Sequence, residues 1–508
     1  MAQQLQSITI TAPGFAGINT QDAPLSQEPT FAAVADNCVI DKEGRIAARK
    51  GYEVLTTDAT PLGSSDGIEA MGEFVANDGD ITFFSAGNNK IFSGTTTLTD
   101  ITPAAYTITD NNWKFIPFNN HMYMFQRGYE PLVYSDSTGT LVKMSSHGSS
   151  SGTPPQGNEC IAAFGRLWVA DFTNDKSTIY WSDLLNGSGW SGGSSGSINI
   201  TKVWPSGYDT ITSLAAHNGF LIIFGKNSIL VYAGAESPAS MELSDTISNI
   251  GCVQRDSVVS TGKDIIFLDD SGVRSISRTI QEKSAPIGDI SKNVNNDIKS
   301  LYAAETGHIK MHYSPREAFV LLNFENLGVV YAFDTRFPLQ DGSYRATTWS
   351  NMNPKCFANT STELLYLGST TGISEYKGYE DNNGGYQLSY FSHPLSFGNT
   401  SSLKFLKKIN LTTFDGAEAT VVLNWAYDYS GAYKKQAYVL PQSNVGQYNI
   451  SEFNTEAEYS SSIALIKRKK INASGQGTVV SVGVETTVEG KSIALQEINI
   501  QALMGRIV

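Results

Sequence analysis

Short apolar runs alternate with tight polar turns along most of the chain, in units of three strands. The clearest unit spans Trp113–Asp136, where WKFIPF, MYMFQ and PLVYSD are separated by polar residues. Apolar runs of this length, rich in Phe, Tyr, Val and Ile and bounded by Gly, Asn and Asp, are typical of strands joined by hairpins. The same layout recurs in Met71–Gly94, Cys160–Asp183, Thr212–Gly234, Ser257–Ser277, Lys310–Asp334 and Lys355–Tyr376.

The units are regularly spaced along the chain. Their middle strands are predicted to begin near Ile81, His121, Arg166, Phe220, Asp264, Ala318 and Leu364, at steps of 40 to 54 residues. A period of roughly 40–50 residues with three or four antiparallel strands is typical of a β-propeller blade. A single three-stranded sheet cannot bury its own apolar faces, so neighbouring units must stack. The pattern predicts a propeller of six to eight blades, seven by the count of units, and unrelated meanders in sandwiches are the alternative.

The pattern changes at about Gly385, where the predicted strands become longer. Seven or so alternating strands over roughly 120 residues predict a β-sandwich. The expected fold is therefore all-β, with an N-terminal arm and hairpin (1–60), a β-propeller (61–384) and a C-terminal sandwich platform (385–508). The hairpin around the turn Asp41–Gly44 could pack on the platform, and Ser7–Ala12 is a candidate for the strand that closes the propeller.

Charge and composition narrow the function classes. The chain has 508 residues and a formal charge of −13, which disfavours tight nucleic-acid binding over the whole surface. Residues 385–508 contain 11 Lys and Arg against 9 Asp and Glu, a net +2, which leaves −15 for the first 384 residues. The four cysteines lie far apart and are expected to be buried thiols. No signal peptide is visible, and no apolar run approaches the ~18 residues of a spanning helix.

The densest basic run is in the platform region. Two interpretations are open: a solvated edge that discourages strand pairing, or a contact with phosphate or an acidic partner subunit. The candidate contact residues are Lys404, Lys407, Lys408, Lys434, Lys435, Lys467, Arg468, Lys469 and Lys470.

Other polar features predict little chemistry. His308 and His312 alternate with apolar residues on a strand, where positions i and i+4 lie about 13 Å apart, so we expect solvent-facing histidines and no shared metal. No Walker A, GxSxG, HExxH or zinc spacing is present. The sequence therefore predicts no catalytic residue, no cofactor and no metal site. The long insertions Met144–Asn158 and Leu184–Tyr208 are expected to be mobile surface loops or contact segments.

One part of the sequence resembles a known family. The opening has the form G-I-N, P-L, then N-C-x-I-D-x-x-G-x-I-x-x-R-x-G-Y, with Gly17, Ile18, Asn19, Pro24, Leu25, Asn37, Asp41, Gly44, Arg45, Arg49 and Gly51 as matching residues. It resembles the start of tail tubular (nozzle) proteins of short-tailed bacteriophages, which include packaged-DNA stabilisation proteins. FFSAGNNKIFSG, HMYMFQRGYEPLVY, Ile250–Arg278 and the closing IALQEINIQALMGRIV resemble later parts of the same proteins.

This resemblance implies a structural virion protein made in the host cytoplasm. About six copies would form the distal tail tube, bind the tail adaptor and tail fibre proteins, retain packaged genomic DNA and form the channel for its ejection. The DNA would pass without sequence-specific binding. The alternative is a glycan-binding or glycan-cleaving cell-surface propeller, because SDSTGT (135–140) and DDSGV (269–273) are similar to the Asp-box turns of sialidases. A propeller scaffold for cellular proteins is a third option.

Overall fold

A computed structural model of the protein describes residues 5–63, 67–282, 289–414, 418–440, 445–446, 458–459 and 466–507. In this part of the chain, six four-stranded blades and one three-stranded blade stand around a common axis. The innermost strands of neighbouring blades contact one another around the axis, and blades 4 and 5 share an apolar cluster. The predicted all-β propeller with a sandwich platform is confirmed.

The blades follow one another along the chain. The strands of blades 1 to 3 are Ala70–Val75, Ile81–Gly87, Lys90–Ser93 and Thr99–Asp100; Lys114–Phe118, His121–Phe125, Leu132–Ser135 and Thr140–Lys143; and Glu159–Ala163, Arg166–Ala170, Thr178–Trp181 and Gly196–Asn199. Those of blades 4 to 7 are Ile211–His217, Phe220–Gly225, Ser228–Ala233 and Glu242–Ser248; Val258–Ser260, Ile265–Asp269 and Gly272–Ser275; Ile309–Ser314, Phe319–Phe324, Val329–Asp334 and Arg345–Trp349; and Cys356–Asn359, Leu365–Ser369, Gly372–Tyr376 and Tyr52–Val54.

The predicted units match the blades closely. Each middle strand begins at the predicted residue or one residue later. The turns explain this accuracy: in blade 2 the residues Asn119 and Asn120 both have positive φ, 44° and 59°. Asn tolerates that conformation, and a two-residue turn of this kind fits the twist of the flanking strands.

A strand from the N-terminal region closes the propeller. Tyr52–Val54 pairs antiparallel with Gly372–Tyr376 as the outer strand of blade 7. The predicted closing strand Ser7–Ala12 was wrong, since Leu5–Thr11 pairs instead with Ala494–Ile507 in the platform. There, Ile10 is buried in the largest apolar cluster, and Ile8 packs against it.

Two sheets form the platform. The first platform sheet contains Leu5–Thr11, Cys38–Ile40, Ile46–Ala48, Ser402–Phe414, Ile466–Asn472, Gln476–Gly477 and Ala494–Ile507. The second contains Gly17–Ile18, Phe31–Asp36, Tyr386–Ser392, Ala419–Tyr427, Lys434–Leu440 and Val480–Val488. The N-terminal hairpin thus lies in the platform. A short pair, Val445–Gly446 and Glu458–Tyr459, is separate.

The propeller and the platform share one sheet. The outer strand of blade 6 pairs parallel with Phe31–Asp36, so blade 6 and the second platform sheet form a continuous ten-stranded sheet. The largest apolar cluster extends from blade 6 into both platform sheets. This continuity couples the two parts mechanically.

Short helices complete the described fold. The α-helices Ile276–Glu282 and Asn295–Ala304 lie between blades 5 and 6, and the sequence pattern did not predict them. Single 3-10 turns occur at Thr60–Leu62, Met144–Ser146, Pro238–Ser240 and Lys292–Val294. None of the helices among the described residues is long and apolar enough to cross a membrane.

Candidate functional site

A buried arginine joins the propeller to the platform. Arg49 is fully buried and donates two hydrogen bonds to the carboxylate of Asp381, at 2.8 and 2.7 Å. Its Nε donates to Asn37 Oδ1 at 2.9 Å, and its guanidinium lies 4.0 Å from the ring centre of Tyr386. Asn37 also accepts a hydrogen bond from the backbone of Ser350, which follows blade 6. We call Asn37, Arg49, Ser350, Asp381 and Tyr386 the joint.

Two glycines allow close backbone packing near the joint. A Cβ on Gly51 would lie 1.8 Å from the carbonyl oxygen of Glu380. Gly17 has φ +82°, and a Cβ there would lie 2.6 Å from the carbonyl oxygen of Ala346 in blade 6. Both glycines and the joint residues Asn37 and Arg49 lie in the N-terminal segment Gly17–Gly51, so this segment forms the connection between the two parts.

A second buried arginine crosses the propeller axis. Arg255 precedes blade 5, yet it donates hydrogen bonds to the carbonyl oxygen of Asn112 before blade 2 at 2.9 Å and to that of Asn158 before blade 3 at 3.1 Å. Blade 5 is not adjacent to either blade, so the side chain must span the axis. Asp256 accepts from Arg255 at 2.9 and 2.7 Å, and Lys310 of blade 6 donates to Asn112 Oδ1 at 2.9 Å. These contacts close the axis at this end.

Two carboxyl groups near the axis, those of Glu159 and Asp256, have shifted pKa values. Burial raises the pKa of Glu159 to about 7, and the nearby Lys114, whose Nζ lies 3.3 Å from its carboxylate, only partly offsets this. Burial also disfavours the ionised form of Asp256, but Arg255 and Lys114 outweigh it and hold the pKa of Asp256 well below its usual range. The axis therefore contains one firmly ionised carboxylate and one that titrates near neutrality.

A cavity of about 510 Å³ opens beside these residues at the mouth of the propeller. Its wall includes Arg127, Lys176 and Asp171, and Lys176 Nζ lies 2.7 Å from the Asp171 carboxylate. Arg127 forms a second ion pair with Asp171. The acidic groups Asp171 and Asp256 are thus already occupied by cations.

The two histidines of blade 6 differ from the expectation. His312 does not face solvent: its ring stacks on Phe357 at 5.7 Å, and burial lowers its pKa to about 4. His308 lines the axial cavity, with Nδ1 3.4 Å from Asn112 Nδ2. Apolar residues and histidines alternate along the strand as predicted. The histidine side, however, does not face solvent, because on this inner strand it packs against the neighbouring blade.

The two long insertions hold each other. Trp190 donates its backbone N–H to the carbonyl of Ser151 at 2.8 Å and its indole N–H to Met144 Sδ at 3.1 Å. Asn186 donates to the carbonyl of Ser149 at 3.0 Å. The segments therefore form an ordered cap on blades 2 and 3, and the second one supplies the outer strand of blade 3, Gly196–Asn199.

The predicted basic residues differ in burial and in the side of the platform sheets on which they lie. Lys404 is fully buried, and its Nζ donates to the carbonyls of Asn399 and Thr478, so it is not available as a surface contact. Lys407 is exposed at a bulge between Leu406 and Lys408. Because a bulge adds one residue to a strand, it separates Lys407 from the regular faces of the sheet.

Other cations lie on the edge strands of the two platform sheets, Lys434–Leu440 and Ile466–Asn472. Lys434 and Lys435 belong to the second platform sheet, and Lys435 Nζ lies 3.5 Å from the Glu485 carboxylate. In the first sheet, Lys467 and Lys469 point to the core side, because they pair with Thr413 and Leu411. The Nζ of Lys469 lies 5.6 Å from the ring centre of Tyr438.

The remaining cations lie on the outward side of the first platform sheet. Residues opposite each other in antiparallel strands point to the same side, so Lys470 lies beside Asn410, and Arg468 beside Thr412. Between Lys408 and Thr412 this side is polar over four strands. We call it the platform face, formed by Ser7, Thr9, Thr11, Lys408, Asn410, Thr412, Arg468, Lys470, Asn472, Glu497, Asn499 and Gln501.

Side-chain amides order the platform face. Asn410 Nδ2 donates to Asn499 Oδ1 at 3.1 Å, and Asn499 Nδ2 donates to Thr9 Oγ1 at 2.5 Å. Gln501 Nε2 also donates to Asn499 Oδ1, at 3.1 Å. The next row, Phe405, Leu503 and Leu5, is apolar, and Leu5 is 55% exposed. The face thus combines an ordered polar lattice with an apolar border.

Sequence reasoning found the basic residues but missed the joint and the axis. The axial residues come one to three residues before inner strands, as in Asn112, Asn158 and Arg255, and this recurring placement is a signal that could have located them. All four cysteines are buried and free, as expected. No cluster of three potential metal ligands occurs among the described residues.

The chain is weakly similar to several solved structures. No family model and no curated protein matches the chain. Among solved structures, it is similar to the WD40 domain of Neurospora crassa Pan2 at 10% identity, with 66% of this chain and 96% of that chain covered and a TM-score of 0.38. YCF48 from Cyanidioschyzon merolae is 12% identical, with coverages of 62% and 97% and a TM-score of 0.34. Similarity this low carries no functional argument.

Proposed function

We propose that this chain is a structural virion protein of a short-tailed bacteriophage. About six copies form the distal tail tube, or nozzle, which binds the tail adaptor and tail fibre proteins. The tube retains packaged DNA and then conducts it during ejection. The protein acts mechanically and performs no reaction.

The joint is the observation that supports this proposal most directly. The motif that resembles nozzle proteins supplies Asn37 and Arg49, and these residues connect the platform to Ser350 after blade 6 and Asp381 after blade 7. Together with the continuous ten-stranded sheet, they make the propeller and platform one mechanical unit. A tube wall that retains pressurised DNA requires such rigidity.

The closed axis favours a particular path for the DNA. Arg255 connects blades 2, 3 and 5 across the propeller, and its charge is compensated by Asp256. A duplex could not pass there without breaking these buried contacts. In the proposed tube, the channel therefore lies between copies of the chain, and each propeller is a solid part of the wall.

Cryo-electron microscopy of the phage particle tests the proposal. We expect six copies of this chain around an axial channel at the distal end of the tail, with the channel bounded by several copies. Absence of the chain from the particle, or its location on peripheral fibres, would contradict the proposal.

The alternative of a glycan-acting propeller has one supporting feature, the polar cavity of about 510 Å³ at the mouth. Its carboxylates Asp171 and Asp256 are held by cations. Asp110 is the third carboxylate in the wall of this cavity. Isothermal titration with oligosaccharides, together with hydrolysis assays of Asp110→Asn and the unchanged chain, distinguishes the two functions. Saturable binding or turnover that depends on Asp110 would favour the glycan function.

A further inference from the structure

The platform face contains cations that no residue in the described part of the chain neutralises. Among the described residues, no ion pair involves Lys408, Arg468 or Lys470. Lys408 lies next to Lys470 and lowers the pKa of that ammonium group. Glu497, the acidic residue of the face, is two strands away from Arg468. Like charges in contact are unfavourable unless an anionic partner covers them.

The composition of the surface indicates a protein partner. The row of Phe405, Leu503 and Leu5 borders the polar lattice, and Leu5 is largely exposed. Protein interfaces commonly combine an apolar part with a polar rim and are enriched in arginine. A nucleic-acid phosphate backbone would satisfy the cations but would leave this apolar row in water.

We propose that the platform face binds an acidic surface of a second copy of this chain. The acidic excess lies outside the C-terminal region, because the first 384 residues carry a net charge of −15, whereas residues 385–508 carry +2. The contact is heterologous: two platform faces placed against each other would bring cations against cations. Heterologous contacts produce a ring when the rotation between copies closes.

This inference deepens the proposed function, because a closed ring of copies is what a tail tube requires. It places the amide of Asn499, which the buried Asn410 holds by a hydrogen bond, at the centre of the contact, with Arg468 and Lys470 at one side. It also explains why the amide lattice is ordered in a single chain: a preorganised surface loses less entropy on binding.

Sedimentation velocity and mass photometry of the full purified chain test the inference. The unchanged protein should assemble, and R468E/K470E should weaken assembly about tenfold or more, since the mutation places like charges across the contact. The matched control is K434E/K435E, which reverses two cations on the other platform sheet and should assemble normally. Circular dichroism confirms that each variant is folded.

A second variant covers the case in which R468E/K470E fails to fold. Thr9→Trp adds a bulky group at an exposed position of the platform face and should also prevent assembly. A monomeric unchanged protein, or normal assembly of the folded variants, would overturn the inference. An equal loss of assembly in K434E/K435E would also overturn it. So would a result in which R468E/K470E loses binding to duplex DNA but still assembles.

The inference and the proposed function can fail separately. Six copies in the phage tail with the platform face exposed to solvent would refute the inference and keep the function. A ring that depends on Arg468 and Lys470, formed by a chain absent from the tail, would keep the inference and refute the function.

Discussion

The propeller axis and the platform face treat positive charge in opposite ways. At the axis, Arg255 is buried, forms an ion pair with Asp256 and donates to two carbonyl oxygens. On the platform face, Arg468 and Lys470 are exposed and have no acidic partner among the described residues. A buried cation must be neutralised within the fold, because its desolvation is costly, whereas an exposed one remains available to a partner.

Positive charge at the axis contributes to the stability of the fold, whereas positive charge on the platform face is available for recognition of a partner. The axial and joint arginines connect elements far apart in the sequence, so their removal should damage the fold. Arg468 and Lys470 of the platform face have no ion-pair partner among the described residues, so their removal should change assembly far more than stability. Four predictions test this difference.

The largest effect is expected at the axis. Arg255→Met leaves the Asp256 carboxylate buried without its main cation, and breaking such a pair typically costs about 3–5 kcal/mol. Urea unfolding of the variant should show a clearly lower midpoint than that of the unchanged chain. Arg468→Met, at an exposed position, is the control and should leave the midpoint nearly unchanged. Equal midpoints for both variants would remove the distinction between the two regions.

The axis should also make stability depend on pH through Glu159. Its pKa is raised from 4.5 to about 7 by burial, so the folded state binds its proton more tightly than the unfolded state. This contribution is fully present below the unfolded pKa and is lost as pH rises through about 7. Relative to Glu159→Gln, the unchanged chain should lose on the order of 3 kcal/mol between pH 4.5 and 7.

Thermal melting of both proteins across this pH range measures the effect. Glu242→Gln, at an exposed position on blade 4, is the control and should follow the unchanged chain. A difference between Glu159→Gln and the unchanged chain that does not vary with pH would contradict the prediction.

A smaller effect is expected beside the joint, at Gly51. Gly51→Ala places a Cβ 1.8 Å from the carbonyl oxygen of Glu380, and overpacking of this kind costs about 1–3 kcal/mol. The thermal melting temperature should fall. Gly431→Ala in the platform is the control, because no atom lies within 4 Å of the added Cβ. Similar melting temperatures for both variants would show that the backbone at the joint can move freely.

The smallest effect is expected on the platform face. Lys470→Gln relieves the repulsion from Lys408, so a chain kept dilute enough to remain monomeric should melt at the same or a slightly higher temperature. The difference should disappear as salt is added, because salt screens exposed charges. A lower melting temperature for Lys470→Gln would instead assign a structural role to the cation.

Much of the fold followed from local patterns. The turn residues Asn119 and Asn120, and the apolar runs on each side, were sufficient to place the hairpin of blade 2. The fourth strands were harder: Tyr52–Val54 lies more than 300 residues before the strand with which it pairs, and its three residues have no distinctive pattern. Ser7–Ala12 has the better alternating pattern, yet it belongs to the platform.

The candidate sites show the same limit. The basic run of Lys467–Lys470 was visible in the sequence, but the pairing register decided which members point outward. Lys404 was grouped with the exposed cations, although the fold buries it beneath the carbonyls of Asn399 and Thr478. Burial depends on neighbours that are distant in the chain, so composition could not separate these lysines.

The sequence by itself determined the all-β class, the repeating blades and the longer strands of the C-terminal region, because hairpins and strand alternation depend on neighbouring residues. Tertiary structure alone decided that Arg255 closes the axis, that Arg49 joins the propeller to Asp381, and that Arg468 and Lys470 share an exposed face. These arrangements depend on which strands meet and in which register, and this is set by the burial of apolar surface over the whole chain.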